Sequence, residues 1–87
     1  MTPEEMCEVF DTHIDLEFLE TYLDKGIYVF YIEWNKYIGV SYETNEEGSV
    51  GYIFNLFLGD EYINVCGFYA NIFDAVDAVT EAWNKLE

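Results

Sequence analysis

The sequence has almost no positive charge. It contains no arginine, three lysines and one histidine against eighteen aspartates and glutamates, which gives a formal net charge of −15. Direct binding to nucleic acid or to an anionic membrane depends on lysine and arginine, so this charge opposes both. The imbalance favours a basic protein as the partner. The alternative is an acidic surface that serves solubility, or a proteome adapted to acid or salt.

Cysteines and long apolar segments are also scarce. Cys7 and Cys66 are the only cysteines, and the first residues show neither the basic nor the apolar segment of a secretory signal. A reducing cytosol, without a disulfide, is therefore expected. No apolar run approaches the ~20 residues that cross a bilayer. These absences predict a cytoplasmic protein with no membrane partner.

Few residues are suited to catalysis or metal binding. Catalysis requires groups with matched pKa values in a fixed arrangement. The single histidine, His13, has Asp11 and Asp15 as neighbours and could pair with one of them, but a solvated or capping histidine is favoured. One histidine and two separated cysteines cannot form a structural zinc site, and no glycine-rich phosphate loop follows a predicted strand. We therefore expect no enzyme activity, no metal and no cofactor.

Hydrophobic residues, by contrast, are abundant. They make up 52% of the chain and include eight tyrosines, seven phenylalanines and two tryptophans. Each buried aromatic side chain removes roughly 150–250 Å² of surface from water, so a chain of 87 residues can form a core. A disordered acidic tail would lack these aromatics. We expect residues 1–87 to form a single domain.

The chain begins with the signals of a helix start. Thr2 and Glu5 have the spacing of a capping box, and Pro3 suits the first helical position. The apolar face that follows contains Met6, Val9, Phe10 and Ile14. The opposite, acidic stripe contains Glu4, Glu8, Asp11 and Asp15.

That periodicity does not continue beyond the first helix. At about 100° per residue, Leu16 and Leu19 would point to the acidic side. A single straight helix would therefore bury acids in its second half. We expect a break near Ile14 and Asp15, with Asp15 as the cap of a second short helix that ends near Lys25.

From residue 27 onward, β-branched and aromatic residues predict strands. Ile27–Trp34 and Tyr37–Glu43 form a first hairpin around Asn35 and Lys36. Its core face is expected to hold Phe30, Ile32, Trp34, Ile38, Val40 and Tyr42. These residues share a face only if the residue numbers of each cross-strand pair sum to an even number. A hairpin with a three-residue loop has this property, so we favour such a loop.

A second hairpin and a final helix complete the predicted fold. Val50–Leu58 and Glu61–Tyr69 are joined by a two-residue turn of Gly59 and Asp60. Asn71 caps the last helix. Its apolar stripe contains Ile72, Val76, Val79, Trp83 and Leu86. The fold class is α+β: a four-stranded antiparallel sheet of two hairpins, with two short N-terminal helices and one C-terminal helix.

The carboxylates are candidates for binding the partner. Those of the first helix recur every three or four residues, which places neighbours ~5–6 Å apart, close to the phosphate spacing along one nucleic-acid strand. Amphipathic helices always place charges outward, but this does not explain why so few lysines are interspersed. The predicted contact carboxylates are Glu4, Glu8, Asp11, Asp15, Glu43, Glu46, Glu47, Asp60 and Glu61.

The outer face of the predicted sheet is a second candidate. The residues expected there are Tyr31, Glu33, Asn55, Phe57, Tyr62 and Asn64. Aromatic side chains anchor interfaces, so Tyr31 and Tyr62 join the predicted contact residues, and a homodimer through this face is also an option. The alternative is that one of the N-terminal helices covers this face.

In size, acidity and lack of catalytic groups, the chain resembles the phage-encoded anti-CRISPR and antirestriction inhibitors. The resemblance covers overall composition and no motif, so no residue roles are carried over. It implies a nucleic-acid mimic that binds the basic surface of a host defence nuclease complex in the host cytoplasm. The alternative function is that of an immunity protein or antitoxin that neutralises a basic toxin nuclease.

Overall fold

The computed structural model describes residues 1–22 and 26–86. Within these ranges the chain forms α1 (Pro3–His13), α2 (Leu16–Tyr22), β1 (Tyr28–Glu33), β2 (Lys36–Thr44), β3 (Val50–Leu58), β4 (Glu61–Tyr69), a 3₁₀ helix (Ile72–Ala75) and α3 (Val76–Leu86). The strands form one antiparallel sheet in the order β1-β2-β3-β4. The predicted α+β architecture is confirmed.

The N-terminus of α1 is closed by the predicted capping box. The Glu5 backbone N–H donates to Thr2 Oγ1 at 3.2 Å, and the Thr2 backbone N–H donates to Glu5 Oε1 at 3.1 Å. Pro3 occupies the first turn, where its missing N–H leaves no hydrogen bond unmade. The helix is thereby aligned so that Met6 and Phe10 are fully buried.

α1 ends where the helical periodicity fails, as predicted. Ile14 has an extended backbone with φ −96° and ψ 116°. The Asp15 side chain then accepts a hydrogen bond from the Phe18 backbone N–H at 3.1 Å, at the start of α2. The change of direction allows Ile14 and Leu19 both to be buried. The expected end of α2 at Lys25 lies outside the described residues.

The first hairpin has the predicted parity but not the predicted loop. Along most of the ladder, paired positions in β1 and β2 sum to an even number. The turn, however, contains two residues, Trp34 and Asn35. An irregularity in the ladder between Tyr31 and Glu33 takes up the additional residue, so a three-residue loop is not required.

This irregularity overturns two predicted side-chain positions. The predicted core position of Trp34 is wrong, because the residue lies in the turn and its side chain is 86% exposed. Glu33, predicted on the outer face, pairs with Lys36, and directly paired side chains share a face. Lys36 Nζ lies 5.3 Å from the centroid of the Trp83 ring in α3, so Glu33 belongs to the helix side of the sheet.

The second hairpin agrees with its prediction. Leu58 pairs with Glu61 across a two-residue turn, and Gly59 adopts the positive φ of 59° that such a turn requires. The Gly59 N–H also donates to the backbone oxygen of Asn35 at 2.9 Å. The tips of the two hairpins are therefore joined at one end of the sheet.

The C-terminal helix begins at the predicted cap. Asn71 Oδ1 accepts a hydrogen bond from the Phe73 backbone N–H at 2.8 Å, and the 3₁₀ helix that follows leads into α3. The predicted apolar stripe is buried except for Leu86, which is half-buried. The stripe directs α3 against the sheet.

The described helices pack on one face of the sheet. The Phe10 ring of α1 stacks on Phe54 of β3 with 5.2 Å between centroids, and Trp83 of α3 is 1% exposed. The Tyr52 hydroxyl of β3 donates to Glu20 Oε1 of α2 at 2.7 Å. Within residues 1–22 and 26–86, no helix covers the outer face, so the alternative of a helix over that face is excluded for this part of the chain.

Replacing Asp15 by Ala is expected to lower the free energy of unfolding by about 1 kcal/mol, because the Phe18 N–H loses its acceptor. Asp11→Ala is the matched control, since it removes the same charge from an exposed position inside α1. We expect this control to change stability by less than ~0.5 kcal/mol. Urea denaturation followed by circular dichroism measures both variants. Equal losses would contradict the capping role of Asp15.

Candidate protein-binding surface

The outer face of the sheet carries a row of four aromatic side chains, one from each strand. Tyr31 pairs with Tyr37, Tyr37 with Phe57, and Phe57 with Tyr62. The first and last pairs of rings each have centroids 5.8 Å apart. We call these four residues the aromatic row. Its outermost members are the most open, with Tyr31 53% and Tyr62 61% exposed.

The next positions along the strands are smaller and more polar. Asn64 Nδ2 donates to Asn55 Oδ1 at 2.8 Å. Gly39 lies beside Asn55 on β2, and a Cβ there would lie 2.8 Å from Ile27 Cγ2 and 2.9 Å from Phe57 Cε2. Glycine therefore lets the Ile27 and Phe57 side chains close over the β2 backbone.

A depression of about 490 Å³ follows from this arrangement on the outer face. Phe57 and Tyr62 line it at the aromatic row, and Glu43 lines it toward the other end of β2. Ser41, also in its lining, is buried and donates from Oγ to Glu43 Oε2 at 3.3 Å. The depression thus runs from aromatic rings to a carboxylate.

The predicted contact carboxylates do not form one patch. Glu4, Glu8 and Asp11 are exposed on α1, which belongs to the helix layer and buries Met6 and Phe10 against the sheet. These three carboxylates therefore lie on the opposite side of the molecule from the aromatic row. Asp15 also lies in the helix layer, where it caps α2.

The remaining predicted carboxylates lie near the two ends of the sheet. Glu43 is close to the end of β2, and Glu46 and Glu47 belong to the connection that follows it. Asp60 and Glu61 are at the β3–β4 turn, near the opposite end. Since β2 spans nine residues, these two groups are roughly 25 Å apart at about 3.3 Å per residue.

The aromatic row was only partly predictable. Tyr31, Phe57 and Tyr62 are on the predicted outer face, whereas Tyr37, the first residue of the predicted second strand, is not among the residues predicted there. The alternation of side chains along β2 nevertheless predicts the position of Tyr37. Ile38 and Val40 face the core, so Tyr37, Gly39 and Ser41 face the outer side of the sheet.

The negative charge is almost uncompensated in the described part of the chain. All of its carboxylates are exposed. Lys36 Nζ lies 2.9 Å from Glu33 Oε1, and Lys85 Nζ lies 3.2 Å from Glu81 Oε1. Both lysines thus have a carboxylate partner within the chain. The surface therefore presents a strongly negative field.

The histidine and the metal ligands form no additional site in residues 1–22 and 26–86. The His13 ring stacks on Phe30 with 5.6 Å between centroids. No group of three His, Cys, Asp or Glu side chains there is arranged to hold a metal ion. Among the helices of the same ranges, none has the length and apolar character needed to cross a membrane.

No protein-family model matches the chain, and neither a curated protein nor a solved structure matches it. The described surface has two distinctive features, the aromatic row and the uncompensated carboxylates.

Burial raises the pKa of the Tyr52 phenol, and its hydrogen bond to the Glu20 carboxylate raises that pKa further. A raised pKa means that folding favours the neutral phenol. The resulting stabilisation is fully present below the ordinary tyrosine pKa of about 10. It is lost as the pH rises from there through the raised pKa of Tyr52 in the folded protein.

Tyr52→Phe is therefore expected to weaken the decline of stability above about pH 10. Denaturant unfolding at a series of alkaline pH values measures the slope. Tyr62→Phe is the matched control, because it removes a hydroxyl from a side chain that is 61% exposed. An identical effect of the two substitutions on the slope would contradict the special environment of Tyr52.

Proposed function

We propose that the protein is a small acidic inhibitor of the anti-CRISPR type, which binds the basic nucleic-acid-binding surface of a host defence nuclease complex as a nucleic-acid mimic. The observation that carries this proposal is the exposure of every carboxylate in residues 1–22 and 26–86, where both lysines already have carboxylate partners. A cationic surface is the partner that such a field attracts.

Helix stability explains only some of the acids. Glu4, Glu5, Glu17, Asp74 and Asp77 lie in first turns, where unpaired N–H groups and the helix dipole favour negative charge. Asp15 caps α2 and Glu20 accepts a hydrogen bond from Tyr52, but several other carboxylates have no such role in the fold. Their mutual repulsion opposes the compact state, which supports a function outside folding.

Four such residues illustrate the point. Glu8 and Asp11 lie beyond the first turn of α1, and Glu46 and Glu47 lie in the β2–β3 connection. Their carboxylates are exposed. In a complex, those exposed carboxylates that face the partner would accept charge-assisted hydrogen bonds from lysine and arginine side chains that otherwise hold phosphates.

The physical consequences for binding are specific. Attraction over the whole surface steers the two proteins together and raises the association rate, and salt screens this attraction. Because partner and nucleic acid would use the same cationic groups, the inhibitor and the nucleic acid would exclude each other. An inhibitor acting at a distant site would permit a ternary complex.

These consequences define the test. The tagged full chain is used to capture its partner from lysates of its host cell, and the captured protein is then purified. Binding is measured with and without the DNA or RNA that this protein binds, and at several salt concentrations. We expect competition with nucleic acid and an association rate that falls steeply as salt increases.

A ternary complex with nucleic acid, or affinity that salt does not change, would contradict mimicry. The identity of the captured protein separates the two functions that the sequence leaves open. A defence nuclease complex supports the proposed inhibitor, whereas a single toxin nuclease supports an immunity protein.

A further inference from the structure

The aromatic row is an exposed, contiguous surface that the described helices leave uncovered. Beside it, Val29 is 49% and Ile27 48% exposed, in addition to the open rings of Tyr31 and Tyr62. Large apolar patches are rare on monomeric surfaces and mark interaction sites. We propose that this face is the docking surface of the basic partner and that arginine side chains of the partner stack on the aromatic row. The inference rests on the proposed function for the partner's positive charge.

The negative charge of the chain favours an arginine-bearing protein over a second copy of the chain or a nucleic acid as the occupant of this face. Among residues 1–22 and 26–86, neither lysine nor histidine projects on the outer face: Lys36 lies on the helix side over Trp83, Lys85 is on α3, and His13 stacks on Phe30. Glu43 lines the depression on this face, and Asp60 lies in the β3–β4 turn beyond the row. A second copy would bring two chains of net charge −15 together, and nucleic acid would bring phosphates.

The geometry of the row suits a planar cation. Strands lie about 4.8 Å apart, so the four rings extend over roughly 14 Å across the sheet. The Phe57 and Tyr62 rings are inclined by only 27° to each other and offer broad faces. Guanidinium groups stack on such faces, both as cations and as flat π-systems, whereas the ammonium of lysine is a compact, strongly hydrated charge.

The polar groups beside the row complete the surface. The buried Asn55 and its partner Asn64 present amide groups within the depression. The Glu43 carboxylate lies at its far end and is suited to a second cation. Hot spots of protein interfaces combine aromatic anchors with arginine in this way. The distant carboxylates of α1 then contribute to steering and make no direct contact.

The test uses the isotopically labelled full chain and two synthetic peptides of equal charge, in which arginine or lysine alternates with glycine. Two-dimensional NMR follows each titration at moderate salt. We expect saturable shifts at the four rings of the row and at the Asn64 side-chain amide, with tighter binding of the arginine peptide. Equal affinity for the two peptides, or shifts spread evenly over α1, would overturn the inference.

Substitutions in the row provide the second arm. Tyr31→Ala and Tyr62→Ala are each expected to weaken arginine-peptide binding about two- to fivefold, the loss of one exposed cation–π contact. Tyr62→Phe keeps the ring and should retain binding. The pair Glu8→Gln and Asp11→Asn removes charge from the opposite side and should leave the shift pattern unchanged. Unaltered binding after both alanine substitutions, in folded protein, would overturn the proposed row.

The same variants distinguish this inference from the proposed function. If the captured partner competes with nucleic acid but binds Tyr31→Ala and Tyr62→Ala as well as the unaltered chain, the docking surface is wrong and the inhibitor function stands. If the arginine peptide binds the row while the captured partner tolerates nucleic acid, the docking surface stands and mimicry fails. Self-association of the chain through the row, seen by sedimentation, would overturn the choice of occupant.

Discussion

The stacked rings of Phe10 and Phe54 join α1 to the centre of the sheet, and the other described helices pack on the same face. α3 buries Trp83 on the same face, and α2 reaches it through Glu20 and Tyr52. With the described helices on one side, apolar burial is concentrated in one layer. The opposite face is left with side chains that the fold does not bury, and these include the aromatic row.

The one-sided core also determines what the negative charge can do. A fold that is stabilised mainly by a hydrophobic layer leaves the described carboxylates at the surface. Several of them support helix starts, as Glu5 does through the capping box and Asp15 through the start of α2. Others pair with Lys36 and Lys85 or accept hydrogen bonds from Ser41 and Tyr52. The remaining carboxylates repel one another. A surface of this kind favours association with cations over self-association.

Local signals in the sequence predicted the parts of the fold that depend on neighbouring residues. The capping box of Thr2 and Glu5, the break at Ile14 and the turn at Gly59 are such cases, and all three are confirmed. The first hairpin shows where this reasoning ends. The alternation of side chains required that the residue numbers of paired positions in β1 and β2 sum to an even number. Either a longer loop or an irregular ladder meets this requirement. The irregular ladder placed Trp34 in the solvent.

The candidate surface was predictable in composition but not in arrangement. Residue spacing cannot place α1 relative to the sheet, so Glu8 and Tyr62 joined one predicted set although they lie on opposite sides of the molecule.

The contact between the two hairpin tips has a further, mechanical consequence. The Gly59 N–H donates to the Asn35 backbone oxygen, so the turn after β1 is restrained by the β3–β4 turn as well as by β2. Tyr31 therefore lies near a restrained end of this edge strand.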